Sequence, residues 1–123
     1  MSGVGVLTVH HEEDARRAAR AIVNATPGFE EVGAAGSAEE ALEIAVAVRP
    51  ALALVAAGMP GIDGFETSRR LVQAVPETIV CIVYAAVEPT ASALAGSGAV
   101  ATMRADALTR ASLQDLWEQH GTR

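Results

Sequence analysis

The chain has 123 residues, 50% of them hydrophobic, 20% charged and only 3% aromatic, with a formal net charge of −6. That length bounds one domain with one core, and the composition excludes a disordered chain and requires a core of Ala, Val, Leu and Ile. The acidic balance opposes direct nucleic-acid binding unless the cations are tightly clustered.

In chain order, strand-length apolar runs alternate with helix-length segments. The N-terminal Met1-Ser-Gly lacks the basic and long apolar regions of a signal peptide, and Val4–Val9 reads as a first strand. Residues 14–25 read as a helix. Its acids Glu12, Glu13 and Asp14 precede Arg16, Arg17 and Arg20, an order that suits the helix dipole and marks the arginines as solvated decoration rather than a binding patch. A strand at 31–34 and a helix at Ala38–Val48 follow. Then come a strand at Leu52–Ala56, a helix at 64–75 and a strand at Ile79–Tyr84. Ser37 with Glu40, and Asp63 with Glu66, have the spacing of capping boxes.

A fourth helix is weak. Residues 90–95 allow about two turns after Pro89, with Gly96 and Gly98 stopping them, so this element should be the least stable. A strand at 100–104 and a helix at 109–120 complete the chain. In that last helix Leu113, Leu116, Trp117 and His120 share one face, either core contact or a partner surface. Five strands alternating with five helices indicate an α/β fold with a doubly wound parallel sheet, and the unbroken apolar runs at 52–55 and 79–83 fit strands covered on both faces. No run approaches the ~20 apolar residues of a membrane span, so a cytoplasmic protein without membrane contact is expected. The single cysteine, Cys81, lies in an apolar strand and reads as a small buried hydrophobe.

Residues 49–64, Arg-Pro-Ala-Leu-Ala-Leu-Val-Ala-Ala-Gly-Met-Pro-Gly-Ile-Asp-Gly, resemble the third strand and following loop of a CheY-like response-regulator receiver domain. Gly36-Ser-Ala-Glu-Glu-Ala-Leu42 and Gly98-Ala99 extend the resemblance over nearly the whole chain. Within receivers, residues 26–33 and Arg104-Ala-Asp-Ala107 are similar to the NarL-type subgroup of the LuxR family, whose receivers usually precede a helix-turn-helix DNA-binding domain. The resemblance implies a five-stranded sheet in the order 2-1-3-4-5, a single receiver domain over residues 1–123, and a site beyond the carboxyl ends of the central strands.

Receivers place there two acids after strand one, a phosphate-accepting Asp after strand three, a Thr or Ser after strand four and a Lys after strand five. The matching positions hold His10 and His11, Ala56, Tyr84 and Ala105. The resemblance therefore implies a degenerate phosphorylation pocket with no cofactor and no magnesium site, in a domain that is not an enzyme. Arg104 neighbours Ala105, but adjacent strand residues face opposite ways, so it is not expected to replace the lysine. His10, His11, Glu12, Glu13 and Asp14 match no established zinc spacing.

A switch pair would fall on Tyr84 and Thr102, with large and small residues exchanged relative to active receivers. Two placements of Tyr84 stay open: a ring filling the space left by Ala56 and Ala105, or a ring exposed to solvent. The implied function is signal transduction and transcription regulation through phosphorylation-independent protein contacts. A histidine kinase, an output domain or a homodimer would be the partner, the last through Leu113, Leu116 and Trp117. A ligand-sensing pseudo-receiver and a stand-alone adaptor are the alternatives. Residues 121–123 end where a linker to an output domain would begin in the NarL-type subgroup.

Overall fold

The computed structural model describes residues 3–121. Residues 1, 2, 122 and 123, on which the reading of both ends partly rests, lie outside the described residues. Along the chain run β1 (Val4–Val9), α1 (Glu13–Ala25), β2 (Phe29–Ala35), α2 (Ala38–Val48), β3 (Leu52–Ala56), α3 (Gly64–Ala74), β4 (Ile79–Tyr84), α4 (Ala91–Ser97), β5 (Ala101–Arg104) and α5 (Arg110–His120). One turn of 3-10 helix, Ala105–Ala107, joins β5 to α5 and was not expected from the sequence. The strands pair in parallel in the order β2-β1-β3-β4-β5, giving the CheY-like doubly wound α/β fold. Parallel pairing sets all five carboxyl ends on one edge of the sheet, which is where the candidate site must form.

Alternation along the strands divides the core in two. Leu7, Val9, Val55, Val80 and Ile82 pack with Leu71 of α3 and with Ala41 and Ala45 of α2. Val6, Leu52, Leu54 and Cys81 pack on the other face with Val23 of α1 and with Leu113 and Leu116 of α5. Each large aliphatic side chain fully buried in this way contributes about 1.5–3 kcal/mol. Every residue of β3 is buried, as a central strand covered on both faces requires.

Leu113 and Leu116 are 0% and 6% exposed. They are therefore core residues and cannot form the dimer surface expected of them, whereas Trp117 packs against the core while remaining partly exposed. Cys81 is fully buried, and desolvation pushes its thiol up to about 12, so it remains an inert hydrophobe. No helix among the described residues is long and apolar enough to cross a membrane.

The α4 helix closes differently at its two ends. Its last residue is fastened to α3, because the Ser68 hydroxyl donates to the Ser97 carbonyl at 2.9 Å in a buried bond. Gly98 then turns the chain with φ +76, a conformation glycine adopts without a Cβ clash. At the other end Thr90 caps the first turn, accepting from the Ala93 amide at 3.1 Å, after an exposed segment at 85–88.

Candidate functional site

Two concavities lie at the carboxyl edge of the sheet. One is an open groove of about 660 Å³ bounded by His10, His11 and Glu12 after β1, by Ala56 and Phe65, and by the 85–90 segment after β4. The other is a partly enclosed cavity of about 180 Å³ between α1 and the sheet. His10, Ala56 and Tyr84 border both, His11 borders only the groove, and Ala105 borders only the cavity. The five positions singled out in the sequence therefore do meet at one edge. Thr102 lines neither space: it pairs with Ile82, while Tyr84 pairs with Arg104, so the suspected switch residues are not opposite one another.

Tyr84 is half-buried, which fits neither of its expected placements. The ring is not projected fully into solvent, yet it does not fill the space beside Ala56 and Ala105, since the cavity that all three border stays open.

Ala56 itself is held from outside the site. Gly64 lies at the start of α3, and a Cβ there would collide with the Ala56 carbonyl oxygen, so only glycine permits the approach. Two bonds at this end, Gly64 N to the Ala57 carbonyl at 2.9 Å and Ala57 N to the Val83 carbonyl at 2.8 Å, tie α3, β3 and β4 together.

His10 is fixed by three hydrogen bonds. Its backbone amide donates to the Ala35 carbonyl at 3.0 Å, and its carbonyl accepts from Arg16 Nη1 at 2.7 Å. Its Nδ1 accepts from the Glu12 amide at 3.0 Å, so the neutral ring carries its proton on Nε2. Its ring stacks on His11 with centroids 5.0 Å apart. Desolvation, followed by the neighbouring His11, lowers the His10 pKa below the usual histidine value, against an opposing pull from Glu12.

Of the acids near this edge, Glu12 borders the groove itself. Glu12 lies 4.0 Å from His11 Nε2, and Glu13 pairs with Arg17 at 3.2 Å. The described residues bring no three His, Cys, Asp or Glu side chains into a metal-holding group. Arg104 turns away from the site to Asp106, at 2.9 and 3.1 Å.

Arg16 corrects the reading of the first helix as uniformly solvated. It is half-buried, borders the cavity, and with Arg110 makes no ion pair among the described residues, whereas Arg17 and Arg20 pair with Glu13 and Glu31. Sequence reasoning also missed the α1 wall of the cavity. Its signal was present in Ala15, Ala18, Ala19 and Ile22, which recur at the spacing of one helical face.

Comparison with known proteins agrees with this architecture. A family model described as the response regulator receiver domain matches residues 6–104. A protein-glutamate methylesterase/protein-glutamine glutaminase of Syntrophus aciditrophicus is 36% identical over 104 residues, covering 81% of this chain but only 29% of the relative. The chain thus spans less than a third of that protein. The signal receiver domain of the putative response regulator NarL from Mycobacterium tuberculosis superposes with a TM-score of 0.81 at 23% identity, covering 98% of this chain and 100% of that one. The response regulator domain of Thermotoga maritima CheB gives a TM-score of 0.75 at 25% identity, covering 95% and 92%. With the family model matched from β1 to β5 on a sheet of this order, the chain belongs to the response regulator receiver domain family.

Proposed function

We propose that this receiver domain signals without aspartyl phosphorylation, through protein contacts, as the single-domain input module of a cytoplasmic NarL-type DNA-binding regulator. The observation that carries this reading is Ala56 at the carboxyl end of β3, bordering both concavities where a receiver would need its phosphoacceptor. A methyl group has no lone pair with which to attack a phosphoryl donor.

The surrounding donors point the same way. Magnesium takes hard oxygen ligands at octahedral geometry. Here the flanking residues supply imidazoles, one of whose nitrogens already accepts a backbone hydrogen bond, and Ala56 and Ala105 supply nothing. These residues do not fit the ion. Without a lysine after β5, a phosphoryl group would also lack a cation on that side, and Arg104 is occupied by Asp106. The NarL-type assignment rests on residues 26–33 and 104–107; the likeness to the NarL structure supports the fold. A histidine kinase, an output domain or a second copy remains the partner class, and no catalytic activity is proposed because no nucleophile, base and oxyanion arrangement is assembled at the site.

Incubation with radiolabelled acetyl phosphate and magnesium tests the reading. The expected result is no label on the parent chain and none on Ala56→Asp, whose carboxylate would stand without magnesium or lysine. Label on the parent would overturn phosphorylation independence. Label on the variant alone would show that the other four altered positions still permit the reaction.

A further inference from the structure

The cavity under α1 is walled largely by methyl groups. Ala15 and Ala19 of α1 line it together with Ala56 and Ala105 beyond the sheet, and Ile22 and Leu54 add larger apolar surface. An alanine side chain ends at Cβ and has no rotamer that could swing into the space, so side-chain repacking at these positions cannot close it. Only a shift of α1 toward the sheet could, and hydrogen bonds hold that helix at both ends. Near its start Arg16 Nη1 donates to the His10 carbonyl at 2.7 Å, and near its finish the Asn24 side chain accepts from the Glu31 amide of β2 at 2.9 Å. An apolar cavity of about 150 Å³ is large enough to hold benzene, and this one measures about 180 Å³.

The lining offers a charged guest nothing. Arg16 is its one permanently charged residue, and the guanidinium lies outside, over Gly36 and beside Glu40, where it borders a separate surface pocket with Glu13 and Glu31. No carboxylate lines the cavity, and the Thr8 hydroxyl in its wall is spent on Glu31 at 2.6 Å. Among the described residues no buried side-chain nitrogen or oxygen lacks a hydrogen-bond partner, so the wall holds no orphaned polar side chain that would retain a water molecule. An anion placed here would give up its hydration and meet no counter-charge. A neutral hydrocarbon loses no such hydration and buries its own surface.

We infer that this cavity binds a neutral, compact apolar molecule, a single ring or short branched chain of toluene size, lodged between α1 and the sheet. His10 and Tyr84 border both this space and the open groove, so the guest enters from the groove past them. The site does not depend on the proposed loss of aspartyl phosphorylation: label from acetyl phosphate would refute that reading and leave this one standing, and the converse also holds.

Amide chemical shifts of the 123-residue chain, recorded while titrating toluene, test the inference, with sodium benzoate as a comparison probe that has the same ring and one added charge. Toluene should move the amides of Ala19, Ala56 and Ala105 saturably. Benzoate should bind roughly tenfold more weakly or not at all, because its carboxylate would be desolvated without a partner. Ala19→Leu, which fills the cavity, should abolish the toluene shifts; Ala15→Leu serves the same purpose if that variant does not fold. The inference is overturned if toluene causes no saturable shift in the parent chain, if its shifts survive in the folded filling variant, or if benzoate moves the same amides with equal affinity.

Discussion

His10 carries more of the site than its place after a strand implied. Its backbone joins β2 and α1 through Ala35 and Arg16, and its ring is set by Glu12 and His11. Because burial and His11 lower its folded pKa, the unfolded chain takes up the proton first as pH falls through about 6.5. The His10 contribution to stability is therefore constant above that pH and declines below it until the lowered folded value is passed. Urea midpoints of the parent should fall between pH 7.5 and 5.5, and those of His10→Asn should fall less. An equal fall in both would show that His10 does not titrate differently on folding. At this scale the sequence named the positions but not their states. Ala56 and Ala105 were legible as absences, whereas the partial burial of Tyr84 and the engagement of Arg16 depend on how α1 lies over the sheet.

Among the helices, cap signals located the starts better than they described the bonds. Ser37 and Asp63 accept from the Glu40 and Glu66 amides as expected. The returning bonds differ: Glu40 accepts from the Gly36 amide, and Glu66 instead takes Arg69 and Arg70, which hold its carboxyl near about 2. The full reciprocal box is at α5, where Thr109 and Ser112 cap each other. A serine in place of the usual Glu or Gln at the third position hid it from sequence. Thr109→Ala should cost about 1 kcal/mol, measured by chemical denaturation, and no measurable loss would mean that the α5 core contacts alone hold that end. In α4 Gly96 does not stop the helix; Gly98 does, because only the second sits in the left-handed region. A glycine in a last turn costs roughly 1 kcal/mol relative to alanine, which tertiary contacts such as the Ser68 to Ser97 bond can offset.

Over the whole molecule, alternation of apolar runs was enough to give the layers, and the receiver resemblance gave the strand order. Space beside Ala56 and Ala105 was legible in the sequence, but the α1 wall of the cavity was not, since a void arises from the short side chains of separate elements meeting across space. The charge balance also acts at this scale. A net charge of −6 is spread over a surface on which most arginines are paired with acids. The chain should therefore leave the electrophoretic mobility of duplex DNA unchanged at 150 mM salt, about physiological ionic strength. A shift at that salt would mean that a cationic surface outweighs the overall field. Finally, α4 is bolted at Ser97 and preceded by an exposed segment that presents Val87, 81% exposed, to the surroundings. A protein gripping that segment would work the helix as a lever with its pivot at α3, moving Thr90 farthest and Ser97 least. Displacement could thus pass from the rim of the groove to the α3 and α4 packing without any change at Ala56.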